Sequence, residues 1–196
     1  MKNEYRAYKF VYAVCFPFLW LLWHFRFTGR ENIPEGAAIV CANHSNLTDP
    51  LFVAFGFTRK RHIHFMAKYE LSQVPVLSFI LRKIGVFFVK RGESDVTAIR
   101  NAMRYLKNGE RIMMFPEGTR TSEDDAVAAK TGAIRLASKL GVPIVPVYIP
   151  RDKKLFRRLD IVIGEPYTIG KIGHDEFDEQ ANELMRRINT LAKENA

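Results

Sequence analysis

The sequence predicts an α/β fold: a central mixed β-sheet flanked by helices. Two observations carry this. Short β-rich apolar runs alternate along the chain with stretches of helical periodicity. No internal repeat, low-complexity tract or long linker interrupts the alternation, and 196 residues with 47% hydrophobic content suffice for one core.

The first element is unusual. Phe10, Tyr12, Phe16, Phe18, Trp20, Trp23, Phe25 and Phe27 crowd one stretch, and between Lys9 and Arg26 there is no charged residue if His24 is neutral. Pro17 interrupts the run, which falls short of the ~20 apolar residues of a spanning helix. Lys2, Arg6 and Lys9 precede it as in a secretion signal, yet no small-residue cleavage site follows, so the segment reads as retained. Being apolar all round, it is expected to lie in a bilayer interface, where tryptophan and tyrosine accommodate a polar tip and flanking cations meet anionic lipid. Burial against this or another subunit is the alternative. The chain thus divides into a docking helix, residues 1–26, and a sandwich, residues 27–196.

Residues 25–28 look strand-like, and strands are expected at 37–42, 62–67, 86–90, 111–115, 144–149 and 159–163. Val96, Ile99, Met103 and Leu106 form one helical stripe, stopped by Asn108 and Gly109. Ala129, Ala133, Leu136, Ala137 and Leu140 form another, stopped by Gly141. Phe177, Ala181, Leu184, Met185, Ile188 and Leu191 form a third behind an expected Asp175 cap, and should cover the sheet.

The chain carries 30 Lys and Arg against 21 Asp and Glu, a formal charge of +9, which favours an anionic partner. No RNA-binding signature, zinc finger or helix-turn-helix pattern points to nucleic acid, although a non-catalytic basic binding module remains the rival class. A phosphate loop at 164–171 fails, with one residue too many before Gly170-Lys171 and Ile172 where Ser or Thr should stand. Two cysteines give neither a disulfide framework nor a metal site, and imply a reducing, cytosol-facing location. His62 and His64 share a strand face without a third metal ligand.

Four blocks could carry chemistry. In CANHSNLTDP, residues 41–50, a buried strand delivers His44 and then Asp49, which could accept the imidazole N–H and leave the other ring nitrogen to take a proton. His174 with Glu179 is a decoy, since those positions diverge around a helix axis. In FPEGTR, residues 115–120, Gly118 lets backbone approach an anion, Thr119 can donate, and Arg120 can pair with phosphate through its planar fork. In GVFFVKR, residues 85–91, alternation puts Phe87, Val89 and Arg91 on one face and Phe88 and Lys90 on the other; a solvated strand end would look the same. In GVPIVPV, residues 141–147, two prolines restrict a buried strand, and packing alone would explain them.

In this order and spacing the blocks resemble the glycerolipid acyltransferase family, whose pattern begins with N-H-x-x-x-x-D. The match runs from about Gly29 to the C-terminal helix. Asn43, His44 and Asp49 match the first block, Gly85, Phe88 and Arg91 the second, residues 115–120 the third, and 142–146, with Pro143 and Pro146, the fourth. Lys130 and Gly132 in KTGA also look like a family feature.

The resemblance implies transfer of a fatty acyl chain from acyl-CoA or acyl carrier protein to the sn-2 hydroxyl of 1-acylglycerol-3-phosphate, giving phosphatidic acid. Glycerol-3-phosphate or another lysolipid is the alternative acceptor. His44 would be general base and Asp49 its orienting partner. Arg91 and Arg120 would hold the acceptor phosphate, with Glu117, Gly118 and Thr119 shaping the site; Asn43, Gly85, Phe88, Lys130, Pro143 and Pro146 complete the expected substrate-binding set. Ser45 is not expected to form an acyl-enzyme, since no G-x-S-x-G elbow is present. No metal or bound cofactor is expected, because a thioester needs none. The expected location is the cytoplasmic face of an anionic membrane, peripheral or monotopic.

Overall fold

The computed structural model describes residues 2–90, 95–118 and 129–193. Seven strands form one sheet: β1 (Arg26–Thr28), β2 (Ala38–Ala42), β3 (Ile63–Lys68), β4 (Phe87–Val89), β5 (Arg111–Met114), β6 (Ile144–Tyr148) and β7 (Asp160–Ile163). Their order is β1-β7-β6-β2-β5-β3-β4, and every pairing is parallel except β6 with β7. All the expected strands are present, within a residue or so of the expected bounds.

β2, AIVCA, is apolar throughout because both its faces are covered. Val40 and Ala42 face a cluster built by α1 (Lys2–Leu22) and α2 (Asp49–Phe57). Ile39 and Cys41 face a second cluster built by α4 (Val96–Lys107), α5 (Gly132–Leu140) and α6 (Phe177–Lys193). The result is a three-layer sandwich. In α6, Ala181, Leu184 and Ile188 are fully buried, and each of the two large side chains contributes roughly 1.5–3 kcal/mol by leaving water. Asp175 is not the helix cap. It lies inside a short 3-10 turn, His174–Glu176, closed by the Gly173 N–H donating to the Glu176 carboxylate at 2.8 Å.

Two helices leave no readable period. In α2, DPLFVAFGF, every residue from Phe52 to Phe57 is buried, so there is no polar face to mark a stripe. In α3 (Pro75–Lys83), Val76, Phe79 and Ile80 are apolar yet exposed, which blurs the contrast from the other side.

The N-terminal helix is not a separate anchor. Tyr8 and Leu19 are buried in the core; the Tyr8 and Tyr12 hydroxyls donate to the Ala54 and Phe55 carbonyls, and the Phe16 ring meets Phe25 and Phe55 edge-on. β1, starting at Arg26 directly after this segment, pairs with β7. The opposite face presents Phe10, Val14, Phe18 and Leu21 to the exterior at helical spacing. The all-round apolarity thus resolves into an inner face that packs and an outer face that does not. Among the described residues no helix is long and apolar enough to cross a membrane.

Candidate active site

β2 lies between β5 and β6 and runs parallel to both, so the residues after three carboxyl ends converge. From β2 come Asn43 and His44, from β5 Phe115 and Glu117, and from β6 Ile149, Arg151 and Lys153.

Residues 43–48 turn sharply into α2, whose first residue is Asp49. A carboxylate is favoured there by the unpaired amides and dipole of a helix amino end. Its Oδ2 accepts from the Ser45 and Asn46 N–H groups, each at 2.7 Å, and faces His44 Nδ1 at 2.9 Å. The chain therefore folds the acid back onto the histidine five residues earlier. Burial pushes Asp49 toward protonation, but the hydrogen bonds from His44 and Asn46 and the charge of Lys153 outweigh it and hold the carboxyl below its ordinary range.

With Nδ1 committed to Asp49, Nε2 is the ring nitrogen that can accept a proton. Phe115 fixes the ring plane, its centroid 3.9 Å from the imidazole and its plane 17° away. The His44 N–H donates to Glu117 Oε2 at 3.1 Å, and Glu117 Oε1 accepts from Arg151 Nη2 at 2.6 Å. Lys153, its side chain 2% exposed, places Nζ 2.9 Å from Asp49 Oδ1 and donates to Ser45 Oγ at 2.8 Å.

The remaining expected residues divide. Glu117 and Gly118 join the cluster, and Gly118 is required as glycine: its φ is +69°, and a Cβ there would meet Lys130 Cγ at 3.1 Å. The same contact brings Lys130 to the turn. Arg91, Thr119 and Arg120 lie outside the described residues.

Five other expected residues are placed by their packing and hydrogen bonds. Asn43 is 1% exposed, its Nδ2 donates to the Ile149 carbonyl at 2.7 Å, and its Oδ1 accepts the Ile149 N–H at 2.8 Å. It staples the end of β2 to the end of β6. Gly85 precedes β4, away from the carboxyl ends, with φ +83°; a Cβ there would stand 2.6 Å from His64 Nδ1, so the glycine makes room for that ring. Phe88, partly buried, packs against the α1/α2 cluster under the Arg82 guanidinium. Pro143 precedes β6 and its carbonyl accepts from Ile39 at the start of β2, while Pro146 is buried within the strand; both serve packing.

A family model described as Acyltransferase matches residues 24–150. The chain belongs to the acyltransferase family. It is 33% identical over 171 residues to a 1-acyl-sn-glycerol-3-phosphate acyltransferase of Bacillus subtilis, covering 84% of each chain. It is 35% identical over 132 residues to the protein of that name from Borreliella burgdorferi, covering 66% of this chain and 52% of the relative. The crystal structure of the 1-acyl-sn-glycerophosphate (LPA) acyltransferase PlsC from Thermotoga maritima superposes with a TM-score of 0.68 at 29% identity, covering 97% of this chain and 79% of that one.

For a member of this family, the sequence leaves three supports unread: Phe115, Arg151 and Lys153. Phe115 sits inside a recognised block, so its place beside the EGTR string was the available signal. Arg151 and Lys153 sit in a cation-rich stretch, RDKKLFRR, that looks like solvated surface. Nothing local separates the two buried cations from their exposed neighbours.

Proposed function

We propose that this acyltransferase moves a fatty acyl chain from a thioester, acyl-CoA or acyl carrier protein, to the sn-2 hydroxyl of 1-acylglycerol-3-phosphate, releasing phosphatidic acid. The observation that carries the reading is the buried His44–Asp49 pair, 2.9 Å apart at the carboxyl end of the central strand. In this reading His44 Nε2 takes the acceptor's hydroxyl proton as its oxygen bonds to the acyl carbon. The C–S bond then breaks, and the proton passes from Nε2 to the departing sulfur. Asp49 holds the ring in the useful tautomer and stabilises the transient imidazolium. The nucleophile belongs to the substrate. Ser45 is engaged by Lys153, which supports its assignment outside the chemistry. Arg91 and Arg120 hold the acceptor phosphate, with Glu117, Gly118 and Thr119 completing the acceptor site, and no bound cofactor is needed to activate a thioester.

The acceptor is an amphiphile, so the enzyme must work at a lipid surface. The outer face of α1, with Phe10, Val14, Phe18 and Leu21, supplies an interfacial contact, and the +9 charge favours anionic headgroups on the cytoplasmic side. Deleting α1 would also expose the core. The informative variant is therefore Phe10→Asp with Phe18→Asp, which should weaken co-sedimentation with anionic vesicles while the fold persists; unchanged binding removes α1 as the contact.

The function itself is tested by product formation from purified protein, offered lysophosphatidic acid, glycerol-3-phosphate and a neutral lysolipid with each donor. Phosphatidic acid from the first acceptor is expected. Equal turnover of the neutral lysolipid overturns the phosphate assignment, and full turnover by folded His44→Ala overturns the base.

A further inference from the structure

Lys153 is the best-buried lysine in the site, and its ammonium has a specific destination. Its side chain is 2% exposed, and Nζ reaches Asp49 Oδ1 at 2.9 Å and Ser45 Oγ at 2.8 Å. Burying an ammonium is costly unless it is paired and hydrogen-bonded, so a lysine held this way is matched to its partner. Its backbone is fixed from α1: the Trp23 indole N–H donates to the Lys153 carbonyl at 3.2 Å, and the Phe156 N–H donates to the Leu22 carbonyl at 2.7 Å. The two oxygens of Asp49 are thereby divided. Oδ2 serves His44 and the turn, and Oδ1 serves Lys153.

We propose that Lys153 is a positioning residue for acyl transfer: its charge keeps Asp49 ionised beneath His44 and sets the low-pH limit of activity. The proposal rests on the reading of His44 and Asp49 as base and orienting acid. Removing the cation leaves a buried carboxylate that binds a proton more readily, and a protonated Asp49 cannot stabilise the imidazolium. That moves the acidic limb of the pH–activity profile toward higher pH. Among the described residues, the other charged groups beside the pair are Glu117, which accepts the His44 N–H, and Arg151, which balances Glu117; the residue after β5 is the uncharged Phe115, stacked on the imidazole, and the residue after α1 is the uncharged Trp23, on the Lys153 carbonyl.

The test is the pH dependence of kcat/KM, with lysophosphatidic acid and acyl-CoA or acyl carrier protein, for wild type, Lys153→Met, Lys153→Gln and Lys153→Arg. The neutral variants should lose about 10–100-fold in kcat at pH 7, with acceptor KM within about threefold. Their acidic limb should rise by about one pH unit, and Lys153→Arg should return it toward wild type. Lys153→Gln keeps a donor without the charge, so it carries the test if circular dichroism shows Lys153→Met unfolded. A limb that stays in place while kcat falls equally at every pH means a structural role only and overturns the proposal, as does a wild-type profile for folded Lys153→Gln. Activity retained by His44→Ala in the same series would instead remove the base assignment beneath it.

Discussion

His44 and the His62–His64 pair are all packed against the same sheet, yet the groups around them differ in kind. His44 faces an ionised carboxylate that is itself held by two backbone N–H groups and a lysine. His62 faces the Ile84 carbonyl at 2.9 Å and His64 the Gly85 carbonyl at 3.0 Å, near the amino ends of β3 and β4. Their rings are 4.4 Å apart and pack on Tyr8 and Tyr105. Burial first, and the neighbouring ring second, drives His62 down to about 4; burial likewise lowers His64. Glu110, which meets His64 Nε2 at 3.1 Å, is itself pushed up by burial. A buried histidine can carry a proton in transit where its surroundings are arranged to balance the charge. Where they offer mainly desolvation and aromatic faces, it is a packing residue with hydrogen bonds.

The largest expected effect separates the two clusters by chemistry. His44→Ala and Asp49→Asn should each lower kcat on the order of 1,000-fold, because base and orienting acid act as a unit, while His62→Phe should stay within about threefold of wild type. Steady-state turnover of lysophosphatidic acid measures both, and a collapse of kcat in folded His62→Phe breaks the division. Next come the two arginines proposed to hold the acceptor phosphate. Arg91→Ala or Arg120→Ala should cost about 30- to 1,000-fold in acceptor kcat/KM with little change for the donor, the loss of a charge-assisted bidentate contact. If donor affinity falls instead, these arginines bind the donor. Gly85→Ala reverses the pattern: strain at positive φ and the contact with His64 should lower stability by about 2–3 kcal/mol in denaturant unfolding and leave kcat of the folded fraction unchanged.

The smallest effect is on stability against pH. His62 falls to about 4 in the folded chain from 6.5 in the unfolded one, so the unfolded state binds more protons between those values. Its contribution is complete above pH 6.5 and is lost as pH falls through that window, by at most about 3 kcal/mol in all. Chemical denaturation at pH 7 and pH 4.5 should show this slope, reduced in His62→Phe; an identical slope in both proteins places the acid sensitivity elsewhere.

Periodicity and local spacing carried much of this protein. The strands, α4, α5 and α6 were legible because one-sided or two-sided burial leaves its period in the residue order. The His44–Asp49 pair was legible because its partners lie within one turn of chain. α2 and α3 were not, since one is buried all round and the other exposes apolar residues, and neither shows a contrast to read. The sequence by itself determined the fold class, the family and the proximity of His44 and Asp49. Tertiary structure alone decided that Asn43 staples β2 to β6, that Gly85 makes room for His64, and that Lys153 is buried under Asp49 while Lys154 beside it is solvated. The physical reason is the strand order. Placing β2 between β5 and β6 brings three chain-distant segments to one edge of the sheet, and a side chain's partners there depend on which strand ends converge, which no local pattern records.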